Sequence, residues 1–290
     1  MTNVMKLIKY LDRLEDMTGK KVIVTGGTSG IGLAIVKHLL YKNATVIVMA
    51  RNMEKADGVK QKLLEKYPDN PITIIQFDQG NKDSIDNAAQ EIIKHHQDFY
   101  ALVLNAGMIQ SNKCVTYVND IPQTIYTNFV GVSLFLDALI PSLKDEHRII
   151  LQGSLIAGLH MKKIRSLKDV KPKGLRQYMV SKCGVEALFN MYRLKEGPLS
   201  FYLVEPGVTN SEIIRDFPKV IRKIGHPFLK AVSHSPEKAA LTALKALQSD
   251  TKSGSFIVPR GFLTCMGYPK YKRFTHHRER SYLVDLVNNI

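Results

Sequence analysis

Short apolar runs alternate along this chain with longer stretches whose apolar positions recur every three or four residues. The runs are Val22–Val24, Ala44–Met49, Ile72–Phe77, Ala101–Leu104, Arg148–Gln152, Leu199–Glu205 and Ser255–Val258. Largely apolar at successive positions rather than at alternate ones, they predict strands buried on both faces of a parallel sheet. After the first run, Ile31, Ala34, Ile35 and Leu39 form one helical stripe. Residues 53–67 and a segment beginning near Lys82 predict two more helices, and Asn119–Leu143 predicts a long, mostly apolar one. Strands alternating with helices predict an α/β fold: a doubly wound parallel sheet of about seven strands, in three α/β/α layers. No internal repeat, low-complexity segment or linker breaks the pattern, so residues 1–290 read as a single domain.

Ahead of the first strand, Leu7, Ile8, Leu11 and Leu14 share a helical face. A membrane-surface helix carries such a stripe, but Asp12, Glu15 and Asp16 on the other side favour a short helix laid against the domain. Toward the other end, Ser235-Pro-Glu-Lys238 predicts a helix start, with serine as N-cap and proline at the first helical position. Residues 212–235 mix Ile213, Ile214, Phe217, Val220, Ile221, Ile224, Phe228 and Leu229 with bases. They read as an amphipathic helix pair or as a mobile apolar lid suited to a lipophilic substrate.

The length suffices for one large domain with a full core. Charge changes the picture more: 41 basic against 26 acidic side chains leave +15, which favours a phosphate-rich cofactor, nucleic acid or an acidic membrane surface. Three cysteines, Cys114, Cys183 and Cys265, lack Cys-x-x-Cys spacing and predict reduced thiols in a cytoplasmic protein. There is no apolar run of about eighteen residues to predict a membrane span and no secretory signal pattern. No His-Glu-x-x-His or cysteine-rich spacing predicts a metal. Between Pro259 and Ser281 the chain is basic, with Phe262, Tyr268, Tyr271 and Phe274 interleaved and His276 and His277 adjacent. Such a tail can meet RNA or an acidic membrane, but a solvated tail with its rings packed on the body is the favoured expectation.

Two stretches carry chemistry. Lys21-Val-Ile-Val-Thr-Gly-Gly-Thr-Ser-Gly-Ile-Gly32 is a strand opening directly into glycines and a helix. Gly26, Gly30 and Gly32, with Thr28, Ser29 and Ile31 between them, let a phosphate approach the backbone and meet the free N–H groups of the helix start. Far downstream, Tyr178 and Lys182 lie one helical turn apart in Tyr-Met-Val-Ser-Lys. A lysine there can hold the phenolate form and ease movement of the phenolic proton, whose reference pKa of about 10 is high for work at neutral pH. At the end of the second strand, Ala50-Arg51-Asn52 stands where an acid would accept from a ribose diol and select NAD. A guanidinium there can fork onto the 2′-phosphate of NADP, so NADP(H) is favoured over NAD(H).

With these motifs the chain resembles the short-chain dehydrogenase/reductase family in its compact single-domain form, over roughly residues 18 to 260. The resemblance implies a Rossmann-type sheet and further site residues. Asn105-Ala106-Gly107 follows the fourth strand and leaves room for cofactor. Asp78, also a candidate N-cap, would contact the adenine amino group. Asn128, in Asn-Phe-Val-Gly131, would support a water that resupplies protons through Lys182. Ser154 would orient a substrate oxygen, Tyr178 act as acid/base, and Lys182 hold the ribose hydroxyls and depress the tyrosine pKa. After the sixth strand, Pro206-Gly207-Val208-Thr209-Asn210-Ser211 would wrap the nicotinamide, with Thr209 and Ser211 both candidates for the pyrophosphate.

One departure is the spacing of Ser154 and Tyr178, 178 − 154 = 24 residues, longer than the family's usual connection. The insertion, about 159–176 with His160 in it, and Ala-Arg-Asn resemble the branch of retinol dehydrogenases and protochlorophyllide reductases. The expected activity is an NADP(H)-dependent interconversion of an alcohol and a carbonyl. Rivals are an idle dinucleotide-binding regulator and an NAD-dependent alcohol dehydrogenase. A homodimer or tetramer through residues 119–143 and 177–194 is open. Nucleic acid and peripheral membrane contact are not favoured.

Overall fold

The computed structural model describes residues 2–111, 114–158, 163–209, 233–261, 264–275 and 280–288. Eight strands make one sheet: β1 (Lys21–Thr25), β2 (Thr45–Ala50), β3 (Ile72–Gln76), β4 (Ala101–Leu104), β5 (His147–Gln152), β6 (Leu199–Val204), β7 (Phe256–Pro259) and β8 (Pro269–Lys272). Their order is β8-β7-β6-β5-β4-β1-β2-β3. The first seven run parallel, and β8 pairs antiparallel with β7.

The apolar runs become strands because each buries both faces. In β1, Ile23 enters the core on one side and Val22 and Val24 the core on the other. In β2, Ile47 and Met49 oppose Val46 and Val48 in the same way. Each such side chain, fully withdrawn from water, stabilises by about 2 kcal/mol. One core lies under α4 (Lys82–His95), α5 (Gln123–Ser142), α6 (Gly174–Tyr192) and α9 (Tyr282–Asn288). The other lies under α1 (Asn3–Leu11), α2 (Gly30–Tyr41), α3 (Met53–Lys66), α7 (Pro236–Ala239) and α8 (Leu241–Ala246). Ser235 caps α7 by accepting from Lys238 N, as its sequence predicts.

The long helix starts later than its apolar pattern suggests. Residues 117–122 form a two-stranded hairpin whose turn residues, Asn119 and Asp120, sit at φ 50° and 64°. Two successive left-handed residues belong to a hairpin turn and end any helix there. Within α5, Tyr126–Val130 is a π turn. Gln123–Ser142 is long and apolar enough to cross a membrane, but 72% of that stretch is buried in the fold, where it serves as a core helix.

The basic segment after Pro259 contains β8 and α9. Its Phe274 ring packs edge-on against Phe189 and Phe256, and Tyr268 stacks on Tyr10. The insertion also contributes to the core: Ile164, Leu167 and Val170 are buried with Leu283, Val284 and Val287 of α9, and Ile164 N donates to Tyr282 Oη at 3.1 Å. His160, Ser211, residues 210–232 of the expected lid, Phe262, His276 and His277 lie outside the described residues.

Candidate active site

The chain reverses its direction of travel across the sheet between β1 and β4, and the carboxyl ends of these strands diverge into a crevice. The crevice holds about 630 Å³. Its walls come from the glycine turn after β1, the ends of β2, β3 and β4, and the start of α6.

Of the three glycines, two are required by the protein itself. A Cβ on Gly32 would lie 2.2 Å from Gly26 O and 2.5 Å from Asn105 Nδ2, and one on Gly26 3.1 Å from Ala106 Cα. Gly30 differs. It has φ +52°, and a Cβ there would meet nothing within 4 Å. Ser29 is the N-cap of α2 but makes no side-chain capping bond, so the first-turn N–H groups remain available where Gly30 opens to the crevice. Asn105 ties the two loops together, its Nδ2 donating to Thr25 O at 2.9 Å, while Thr25 Oγ1 accepts from the N–H groups of Asn105 and Ala106.

Arg51 and Asn52 line the crevice beyond β2. Asn52 caps α3, accepting from Lys55 N at 2.7 Å. That cap brings Lys55 onto the same wall, a second cation that sequence reasoning missed. A signal existed: the first turn of a helix disfavours a positive charge, so a lysine there invites an explanation. Asp78 also lines the crevice but does not cap α4. Its Oδ1 accepts from Gly80 N at 2.9 Å, and Asn81 is the cap.

Gln79, next to it, was not legible either. Its Nε2 donates to Thr127 O at 2.6 Å and to Ala106 O at 3.4 Å, joining three loops, one bond falling on the π turn. Gln79 Oε1 and Thr127 Oγ1 are buried, border the crevice and have no hydrogen-bond partner among the described residues. An open glycine, uncapped helix N–H groups, two cations and two orphaned polar atoms around one crevice fit a phosphate-bearing dinucleotide.

Close helix packing places the other polar side chains. A Cβ on Gly184 would fall 2.4 Å from the Phe129 ring, so α6 presses on α5 at the π turn. Asn128 Nδ2 therefore reaches Ser181 Oγ at 3.2 Å and Met108 O at 2.7 Å, and its Oδ1 accepts from Met108 N at 2.7 Å. Asn128 is buried behind the crevice wall.

Tyr178 and Lys182 line the crevice. The Ser154 hydroxyl, in the turn after β5, lies near enough to the Tyr178 phenol to act on it. Burial raises the phenol's pKa, and Ser154 opposes that rise. The expectation that Lys182 lowers it is not met here. The ammonium lies 5.7 Å from the Tyr178 ring centroid and donates instead to Gln152 O at 2.8 Å. Burial pushes Lys182 itself down to about 8.

Pro206, Gly207, Val208 and Thr209 stand apart from this group. Val208 N donates to Cys265 O at 2.7 Å, His234 Nε2 contacts Pro206 O at 2.6 Å, and Thr209 is buried beside His234. None of the four borders the crevice. Behind them, burial pushes Glu205 and Glu186 up to about 7. Arg280, 3.7 Å from Glu186, also donates to Ala157 O, joining the C-terminal segment to the turn that begins at Ser154.

Sheet topology, crevice and motifs together define a dinucleotide-dependent oxidoreductase. Residues 20–220 match the short chain dehydrogenase family. The chain is 26% identical over 284 residues to the short-chain dehydrogenase/reductase pkfC of Emericella nidulans, covering 90% of this chain and 88% of that one. Its fold is similar to that of an uncharacterised protein from Mycobacterium paratuberculosis, with TM-score 0.75, 18% identity and 96% of each chain covered. It is also similar to the RhlG/NADP complex of Pseudomonas aeruginosa, with TM-score 0.64, 21% identity and coverage of 83% and 94%. The protein belongs to the short-chain dehydrogenase/reductase family, whose enzymes act on CH–OH or C=O groups with NAD(P).

Proposed function

We propose that this enzyme interconverts an alcohol and a carbonyl on a small lipophilic substrate, with NADP(H) as its cofactor. The observation that carries the reading is the Tyr178 phenol, acted on by Ser154 and set beside Lys182, at a crevice whose other end bears Arg51 and Lys55. The chemistry supplied by a bound nicotinamide dinucleotide is hydride transfer to or from carbon. Arg51 and Lys55 would hold the 2′-phosphate, Gly30 and the α2 N-terminus the pyrophosphate, and Lys182 the ribose hydroxyls. In the reductive direction Tyr178 gives its phenolic proton to the substrate oxygen. Ser154 orients that oxygen and favours the phenolate left behind, since it already opposes the rise in the phenol's pKa. The Ser154–Tyr178 insertion and Ala50-Arg51-Asn52 support a place near the retinol-dehydrogenase-like branch.

The test is NADPH consumption against a panel of aldehydes, ketones and quinones. Tyr178→Phe is expected to bind NADPH as the wild type does and to lose turnover by a factor on the order of 10³. Turnover of the phenylalanine variant at the wild-type rate sinks the assignment.

A further inference from the structure

We propose that the face formed by α1 and the groove between α2 and α3 docks on an anionic phospholipid bilayer. The groove holds about 320 Å³. Leu63 is buried in it, Leu33, Val59 and Tyr67 are half-buried, and Lys37, Lys62 and Lys66 stand exposed around them. None of these three ammonium groups is in an ion pair among the described residues. Of the acids of α3, Glu54 and Asp57 fall away from the groove by the helix's periodicity, while Glu65, three residues after Lys62, borders the lysine row.

The groove continues onto α1. Leu33, Lys37 and Tyr41 follow one another at intervals of four along α2, forming one row that leads away from the crevice. Tyr41 Oη donates to Asp12 Oδ1 at 2.6 Å, just past the end of α1. That bond sets the end of α1 against the end of α2, and Asn70 Nδ2, just past the end of α3, donates to Leu40 O at 3.3 Å on the same side.

The sequence favours α1 packing its whole stripe on the domain. In the structure Leu11 is buried and Leu7 and Tyr10 are half-buried, while Val4, Met5 and Ile8 remain 64%, 55% and 43% exposed. Of the eight large apolar side chains most exposed among the described residues, four are here: Val4, Met5, Ile8 and Tyr41. Lys6 and Lys9 are exposed on the adjoining side of α1, and Arg13 is exposed just beyond its end.

Aliphatic side chains beside unpaired cations suit the boundary between acidic headgroups and hydrocarbon, where each type finds its partner. A single-stranded polynucleotide would satisfy the lysines and could stack on Tyr41, but it would leave the aliphatic Val4, Met5 and Ile8 without a partner. The reading is independent of the redox assignment, because none of these residues borders the crevice.

The experiment is co-sedimentation of the full chain with phosphatidylcholine vesicles, with and without phosphatidylserine. Binding is expected only to the mixed vesicles. Each cation near such a surface strengthens partitioning about fivefold, so Lys37→Glu/Lys62→Glu/Lys66→Glu should weaken it by at least about a hundredfold. Val4→Ser/Met5→Ser/Ile8→Ser should weaken it at least about tenfold with an unchanged melting temperature. Lys94→Glu/Lys144→Glu/Lys171→Glu, which changes net charge equally from exposed positions elsewhere, should leave binding within about twofold. The proposal is overturned if wild type stays in the supernatant or if the control triple loses as much as the groove triple. It also fails if the groove triple abolishes binding to a single-stranded RNA and leaves vesicle binding unchanged.

Discussion

The Lys182 ammonium donates to the main-chain oxygen of Gln152, 30 residues back along the chain, at 2.8 Å. The bond joins α6 to the end of β5 and holds a cation at the crevice wall, where burial lowers its pKa from 10.5 to about 8. One proton and one carbonyl thus set both the placement of the catalytic candidate and its response to pH.

The unfolded chain keeps this proton up to about pH 10.4, whereas the folded chain releases it near 8. Below pH 8 both states are protonated and the full burial penalty applies. It is relieved as pH rises from 8 to about 10.4, so this group makes stability increase with pH in that window. At about 1.4 kcal/mol per pH unit the penalty at pH 7 is on the order of 3 kcal/mol. Lys182→Met should therefore unfold at higher urea than wild type at pH 7, by less than that amount because its bond to Gln152 is lost. The advantage should vanish by pH 10. A variant equally displaced from wild type at both pH values would refute the linkage.

Glu205 behaves in the opposite sense. Its carboxyl is raised from 4.5 to about 7 by burial, against the partial relief of Lys272 and Thr264. A raised carboxylate favours the folded state below the unfolded value and loses that advantage as pH climbs through the folded one. Glu205→Gln should flatten the stability profile between pH 4.5 and 7 and raise stability at pH 8 by up to about 3 kcal/mol. Urea titrations at pH 5 and pH 8 measure it.

Arg51 and Lys55 share a wall of the crevice without a neighbouring carboxylate at the end of β2. Charge-assisted bonds to a phosphate contribute about 1.5–3 kcal/mol each. Arg51→Ala and Lys55→Ala should each weaken NADPH binding about ten- to a hundredfold and leave NADH binding within about twofold. Titration of cofactor fluorescence separates the two. Equal losses for both cofactors would assign these side chains to general electrostatics.

Gly131 and Gly58 are both helical, yet their replacement should act in opposite directions. A Cβ on Gly131 would lie 2.0 Å from Gln79 O, whereas one on Gly58 would meet nothing within 4 Å. Gly131→Ala should destabilise by at least about 1–3 kcal/mol and loosen the joint between α5 and the loop after β3. Gly58→Ala, exposed within α3, should stabilise by about 0.5–1 kcal/mol. Thermal melts of the two variants decide it.

Seven parallel strands and the main helices were legible because their signals are local. A buried strand needs a continuous apolar run and a helix needs a stripe, and both are written within a few neighbouring positions. The glycine turn and Tyr178–Lys182 are contiguous in the same way. Features made by contact were not legible. β8 depends on register against β7, and α9 on the apolar side chains of the insertion. The short hairpin ahead of α5 depends on two left-handed residues, Asn119 and Asp120.

The chain by itself determined which side chains could perform this chemistry, because residue type and spacing along one strand or helix decide what a group can donate, accept or hold. Only the tertiary structure decided what each one does with that capacity. Gly32 is required by Gly26 O and Asn105, Gly30 is left open, Lys55 joins Arg51, and Ser154 rather than Lys182 acts on the Tyr178 phenol. The physical reason is that packing brings groups from distant parts of the chain within hydrogen-bond reach and removes water from around them. Neither distance nor desolvation can be read from sequence spacing.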